Sequence, residues 1–238
     1  MGMAMDESLN RKAVREQMLT DYHCHILPQI DDGSESVEMS LKMIQMMKSQ
    51  GVERIVATPH FYAHRERSIE SYLKKRQNAY DKLVQSDSTC SEILLGAEVA
   101  VEHGISKLPD IKKLKIAETS YILLELPYAP FSSWLLEEIN NIVYECHLTP
   151  VLAHIHRYLE YYSKSEMTEV LKTEAILQFN NEAFGNFKER NFVSSLIKKG
   201  YPYVFGSDAH NLTDRKPNWD LANKKMKGKI IEGAENLL

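Results

Sequence analysis

Seven short β-branched or apolar runs alternate with longer stretches of helical periodicity along this chain, a pattern that constrains it to a parallel sheet with helices packed outside it. The strand-like runs are Leu19–His23, Glu53–Thr58, Glu92–Glu98, Tyr121–Leu126, Pro150–His154, Ala175–Asn180 and Tyr203–Ser207. Between the first two, Val37, Leu41, Ile44 and Met47 recur at helical spacing, and Gly51 stands where such a helix would end. The same pattern returns from Arg67 to Gln85, from Phe131 to Cys146 with Leu135, Ile139 and Val143 on one face, and from Asn186 to Lys199 before Gly200. No internal repeat, low-complexity tract or Pro/Gly-rich linker breaks the alternation, so residues 18–238 are expected to form one domain. Residues 1–17 are polar and lack a strand, and are expected to be a flexible lead. A length of 238 residues suits one α/β barrel. Periodicity alone leaves a seven-stranded barrel and an open doubly wound sheet both open.

The ends of these runs carry the chemistry. The first runs into His23-Cys24-His25, and strand alternation sends both imidazoles to the same side. Asp31-Asp32-Gly33 follows at once. The second run ends near His60, the third at Glu98, the fourth at Glu125, the fifth at His154 and the seventh at Asp208-Ala209-His210. Six of seven strands thus deliver an ionisable ligand type at or just beyond the C-terminal end, where α/β barrels build their active sites. Such groups are rarely buried without partners, so their recurrence points to a metal centre rather than to packing. Four other histidines lack this placement. His64 sits among charges, His103 opens a loop, His147 ends a helix, and His156 alternates away from His154 and has no assigned role.

Imidazole and carboxylate without thiolate suit Mn, Fe or Zn better than an all-oxygen Ca or Mg cage. Five histidines and four carboxylates exceed the needs of one ion, so two or three ions per chain are expected. Three divalent ions against four carboxylates leave a positive field that would draw a phosphate dianion. Arg157, close after His154, and Arg215, in the last loop, add guanidinium forks that match phosphate oxygens.

Other classes are excluded by inspection. A cysteine phosphatase needs Cys-x5-Arg, but Ile30, Gly96 and Leu152 stand six residues after Cys24, Cys90 and Cys146. An aspartyl-phosphate enzyme would need an aspartate where Ile30 stands, and no GxxxxGK[ST] loop occurs. Hydrolysis by metal-activated water is the chemistry that is left. A net charge of −4 with mixed signs argues against a nucleic-acid surface. No run approaches the ~20 apolar residues of a membrane span, and no signal-peptide core is seen, so a cytoplasmic location is expected.

The motifs Asp21-Tyr22-His23-Cys24-His25-Ile26-Leu27-Pro28, Asp31-Asp32-Gly33, Thr58-Pro59-His60, Gly96-Ala97-Glu98, Leu124-Glu125-Leu126-Pro127, Ala153-His154-Ile155-His156-Arg157-Tyr158 and Ser207-Asp208-Ala209-His210-Asn211 together resemble the polymerase-and-histidinol-phosphatase (PHP) superfamily. Within it, order and spacing are similar to the bacterial protein-tyrosine phosphatases of capsule and exopolysaccharide loci, from Leu19 to the C-terminus. The resemblance implies a distorted (β/α)7 TIM-like barrel holding three ions, usually Mn or Fe. It implies His23, His25, Glu98 and Asp208 around the first ion, Glu98, Glu125 and His154 around the second, and Asp32, His60 and His210 around the third. Arg157 becomes the catalytic arginine with Arg215 assisting, and the implied substrate is the phosphotyrosine cluster in the tail of a bacterial tyrosine autokinase. His156 departs from the pattern, because a glutamate is expected there. Tyr128 and Phe131 are placed to flank an aromatic ring or to pack their own loop. The rival readings are a histidinol-phosphate or other small phosphomonoester phosphatase, a 3′ exonuclease, and a silent scaffold that binds the kinase.

Overall fold

The computed structural model describes residues 18–226 and 234–238, so the expected lead at 1–17 lies outside the described residues. In chain order the elements are β1 (Thr20–Cys24), α1 (Val37–Ser49), β2 (Arg54–Ala57), β3 (His60–Phe61), α2 (Ile69–Ser86), β4 (Leu94–Leu95), β5 (Glu98–Ala100), β6 (Tyr121–Glu125), α3 (Trp134–Tyr144), β7 (Thr149–Leu152), α4 (Lys164–Val170), β8 (Ile176–Asn180), α5 (Phe187–Lys198), β9 (Tyr203–Gly206) and α6 (Trp219–Met226). The four helices read from the sequence form close to their expected bounds. Ser36 and Ser68 accept backbone hydrogen bonds from Met39 and Ser71 and so start α1 and α2, while Gly51 takes a left-handed φ of 92° just past α1. α4 lacks a long apolar stripe, but Ser163 and Glu166 form a reciprocal capping box that nucleates it.

All strand pairs are parallel. Pairing runs β1-β2-β4 and β3-β5-β6-β7-β8-β9. The expected strand Glu92–Glu98 is broken in two, and β3 forms just beyond Thr58, where the second expected strand ends. β2 and β3 are separated by Thr58-Pro59, where proline has no N–H to give the ladder, and β4 and β5 by Gly96-Ala97. The edge strands then meet. Cys24 bridges Ala209, His25 N donates to Ala209 O at 2.9 Å, and Asp208 N donates to His23 O at 2.7 Å. These bonds close a distorted barrel and dispose of the open sheet.

Two apolar clusters hold it. The inner one, with Tyr22, Val56, Leu123, Val151, Ile176 and Val204 from successive strands, fills the lumen and reaches Leu237 at the C-terminus. The outer one packs the helices on the sheet and contains Met43, Met47, Leu83, Ile139 and Leu196. The register of β1 against β2 shifts between Asp21 and Cys24. Tyr22 therefore lies in the inner cluster and Cys24 in the outer one, although two residues apart on a regular strand share a face. Among the described residues, no helix is long and apolar enough to cross a membrane.

Candidate metal centre

Strand ends and the turns after them present the site. β1 ends in the His23–His25 segment, β3 opens with His60, β5 opens with Glu98, and β6 ends with Glu125. His154 and Asp208 follow β7 and β9 in left-handed backbone, at φ of 32° and 51°. Non-glycine residues reach that region at a cost of about 1–3 kcal/mol, and such strain gathers where a side chain must be aimed. The turn at His154 also means that strand alternation does not govern His156, which lies in the following 3-10 segment Ile155–Glu160.

Three overlapping groups of ligand types converge at this end. His23, His25, Glu98 and Asp208 form one, His25, Asp32, His60 and His210 another, and His60, Glu98 and Glu125 a third. Glu98 is the hub. Its Oε2 lies 3.0 Å from His23 Nε2, 3.1 Å from His25 Nε2 and 3.2 Å from His60 Nδ1. His154 Nε2 approaches Glu98 Oε1 at 2.9 Å and Glu125 Oε1 at 3.7 Å. Asp32 Oδ1 lies 3.5 Å from both His60 Nε2 and His210 Nε2 at the exposed edge. His25 and His60 each belong to two groups, a sharing that motif order did not suggest.

This donor set fits metal ions. His25 Nδ1 meets Asp31 Oδ2 at 2.7 Å, His23 Nδ1 meets Gln178 Oε1 at 3.1 Å, and His210 Nδ1 meets the Asp208 carbonyl at 3.0 Å. Each acceptor takes an N–H and turns the Nε2 lone pair toward the cluster, the support that ligating imidazoles receive from their surroundings. His23 Nε2 and His25 Nε2 then lie 3.2 Å apart, and a cation beside them would relieve the repulsion of two facing lone pairs. The buried atoms His60 Nδ1, Glu98 Oε2 and His210 Nε2 have no hydrogen-bond partner among the described residues. Burial would raise the carboxyls of Glu98 and Asp208, but the imidazoles around them outweigh it and hold both well below the usual range. Burial holds His154 down to about 4, so its imidazole is neutral. Glu125 is pushed up to about 8 by burial and by the charge of Glu98, a repulsion that a cation between them would relieve.

The arginines stand at the mouth. Arg157 Nη1 lies 2.8 Å from Asp208 Oδ2, and its Nε donates to Glu182 Oε1 at 2.9 Å. Arg215 Nη2 reaches Asp208 Oδ2 at 2.9 Å. The Tyr128 hydroxyl lies 3.4 Å from Arg157 Nη1, and its ring stacks on His154 and Tyr158 with centroids 5.8 and 5.5 Å apart. Phe131 packs edge-on against Tyr162 instead, away from the ligand groups. His64 pairs with Glu102 at 3.0 Å, His103 stacks on Trp134, and His147 is exposed, all outside the cluster. His156 is buried, with Glu182 and Glu189 carboxylates 3.9 and 4.0 Å from its Nε2. All three cysteines are buried, and burial raises each thiol above its ordinary value, which disfavours the nucleophilic thiolate.

Sequence reading overlooked the roles of Asp31, Gln178, Asn180 and Glu182. β8 is the strand that ends without an ionisable ligand type, yet Gln178 and Asn180 alternate on it. Gln178 Oε1 also accepts from His154 N at 2.6 Å, and Asn180 Nδ2 donates to Asp208 Oδ2 at 3.0 Å. Two amides on alternate positions of an otherwise apolar strand were the available signal.

Comparison with known proteins agrees with this architecture. A family model described as "Capsular polysaccharide synthesis, CpsB/CapC" matches residues 19–237. The tyrosine-protein phosphatase CpsB of Streptococcus pneumoniae is 28% identical over 235 residues, covering 89% of this chain and 92% of that protein. The tyrosine-protein phosphatase YwqE of Bacillus subtilis is 24% identical over 202 residues, covering 83% of this chain and 79% of that protein. A crystal structure from work on YwqE and S. pneumoniae CpsB, described as unique metal-dependent tyrosine phosphatases, superposes with a TM-score of 0.74 at 23% identity, covering 90% of this chain and 88% of that one.

Proposed function

The chain belongs to the CpsB/CapC family of capsular polysaccharide synthesis proteins, and from that premise we propose that it is a metal-dependent protein-tyrosine phosphatase. The observation that carries the reading is the convergence of three His/carboxylate groups on one barrel end beside two arginines. His23, His25, Glu98 and Asp208 would hold one ion, Glu98, Glu125 and His154 a second, with His60 adjacent, and Asp32, His60 and His210 a third, with His25 adjacent. Bound Mn or Fe ions, two or three per chain, would acidify water and neutralise charge on the phosphoryl group, with Zn also compatible with these donors.

The chain's own residues supply the rest. Asp31 and Gln178 hold His25 and His23 in the tautomer whose Nε2 faces the centre. Arg157 and Arg215, partly exposed at the mouth, offer N–H donors where a phosphoryl dianion would enter and where charge grows on its oxygens. The exposed Tyr128 ring gives a phenyl group a face to lie on beside Arg157. A tyrosine leaving group departs as phenolate, with a pKa near ~10, and needs less protonation than an alkoxide. The expected partner is the phosphotyrosine-bearing tail of a bacterial tyrosine kinase, met in the cytoplasm.

The test compares phosphate release from a phosphotyrosyl peptide and from histidinol phosphate, before and after chelation and Mn(II) readdition. Activity on the peptide that disappears with the metals and returns with Mn(II) is expected. Faster turnover of histidinol phosphate would move the protein to the small-substrate reading. Activity that survives complete demetallation would remove the metal centre from the mechanism.

A further inference from the structure

A groove of about 420 Å³ lies between α4 and α5. Leu159, two residues after Arg157 in the chain, is one of its lining residues. Tyr162, Met167 and Phe192 are among its apolar components, Lys164, Lys188 and Lys199 are its charged ones, and no carboxylate is among the described residues that line it. Those lysines have no ion-pair partner among the described residues, whereas Lys75 and Lys172 lie 2.8 and 2.7 Å from carboxylates. In a chain with a net charge of −4, this is a local reversal of sign. Tyr162 is 6% exposed, and its hydroxyl has no hydrogen-bond partner among the described residues, an arrangement that disfavours the free state and that an incoming polar group would relieve.

A row of packed rings, with Tyr158 fully buried in its middle, links the groove to the centre beneath the surface. Tyr128 stacks on His154 and on Tyr158, and Tyr158 stacks on Tyr162 with centroids 5.4 Å apart.

We propose that this groove binds an acidic segment of the substrate polypeptide a few residues from the phosphotyrosine, its carboxylates meeting the three lysines and an apolar side chain entering between α4 and α5. The inference rests on the phosphotyrosine reading for its choice of occupant, but the groove can be tested apart from the chemistry. Complementary charge at a rim raises encounter and selects among partners more than it deepens affinity. The groove therefore acts on KM and leaves the phosphoryl step alone.

The experiment uses the full chain and the triple variant Lys164→Glu/Lys188→Glu/Lys199→Glu, whose exposed positions lie outside the metal and arginine cluster. Kinetic probes are a phosphotyrosyl peptide with glutamates three to six residues away on both sides, its serine counterpart, and p-nitrophenyl phosphate. The variant is expected to raise KM for the acidic peptide roughly tenfold, as several exposed charge pairs are lost and reversed. The acidic peptide's kcat, and both constants for the other two substrates, stay put. A labelled, unphosphorylated acidic peptide reads the groove alone by fluorescence anisotropy and should bind the parent but not the variant. Equal anisotropy for parent and variant, or a KM increase shared by the serine peptide, overturns the proposal. Anisotropic binding by a parent that hydrolyses neither phosphopeptide would keep the groove and overturn the phosphatase reading instead. A parent that binds a single-stranded oligonucleotide more tightly than the acidic peptide would also overturn the proposed occupant.

Discussion

Glu182 accepts the Nε hydrogen bond of Arg157 at 2.9 Å while the same guanidinium places Nη1 2.8 Å from Asp208, so the fork is held from both sides. Burial alone would raise the Glu182 carboxyl, but His156 and Arg157 beside it hold it down to about 2, and it stays an anion for Arg157. Without Glu182 the guanidinium loses its outer restraint and swings toward Asp208. Glu182→Ala is therefore expected to lower kcat on a phosphotyrosyl peptide roughly 10–100-fold with metal content unchanged, and Glu182→Gln to retain part of that rate through its amide oxygen. Unchanged kcat in the alanine variant would mean that Asp208 alone orients Arg157.

Arg157 and His154 are three residues apart but should fail differently. Arg157→Ala should cost about 10²–10³ in kcat and keep a full metal complement, because it removes a preorganised charge donor. Arg157→Lys should recover little, since an ammonium cannot reproduce the planar fork. His154→Ala should instead deplete bound metal, measured by elemental analysis of purified protein. Near-normal kcat for Arg157→Ala would pass the phosphate-binding role to Arg215.

Gly206 lets β9 approach β1 beneath the centre. A Cβ there would lie 2.6 Å from His23 Cβ and 2.9 Å from His23 N. Backbone cannot retreat without opening the β1–β9 closure, so Gly206→Ala should lower stability by roughly 1–3 kcal/mol and displace His23. Thermal melting and metal stoichiometry should fall together. A variant with parental melting and full metal content would show that β1 can shift without disturbing the site.

Stability also has an acid limb away from the centre. Glu138 of α3 accepts from Gly104 N at 2.6 Å, Ser106 N at 3.1 Å and Ser106 Oγ at 2.7 Å. Burial raises this carboxyl, but those hydrogen bonds outweigh it and leave it below its ordinary value. A depressed folded pKa gives stability that is present above the unfolded value near ~4.3 and lost as pH falls through the folded one. Glu138→Ala should destabilise the protein by about 2–3 kcal/mol at pH 7, since charge-assisted bonds are lost and N–H donors left bare. Denaturant midpoints of parent and variant should converge as the pH drops below ~4. A gap that stays constant down to pH 3 would show that packing, not the carboxylate, is what Glu138 provides.

Much of the candidate site was legible because strands have a period of two and barrels put function at one strand end. His23 and His25 could be paired from spacing alone, and Glu98, Glu125, His154 and Asp208 from their places at run ends. α4 was missed because its signal is a capping box rather than a stripe. The break at Gly96-Ala97 was missed because it lies inside the continuous strand-like run Glu92–Glu98, and β3 was missed because it is only two residues long.

Local sequence, then, determined strand and helix identity and which residue types arrive at the barrel mouth, because periodicity and capping act over a few neighbouring residues. Tertiary structure decided what needs distant partners. Closure came from β1 meeting β9 through Cys24 and Ala209, and the phase that sends His23 and His25 inward came from the register shift of β1 on β2. The imidazole tautomers came from Gln178 and Asp31, and the posture of Arg157 from Glu182. The bonds from His23 to Gln178 and from Arg157 to Glu182 span 155 and 25 residues of chain, and side-chain hydrogen bonds at such range leave no periodic trace in the sequence.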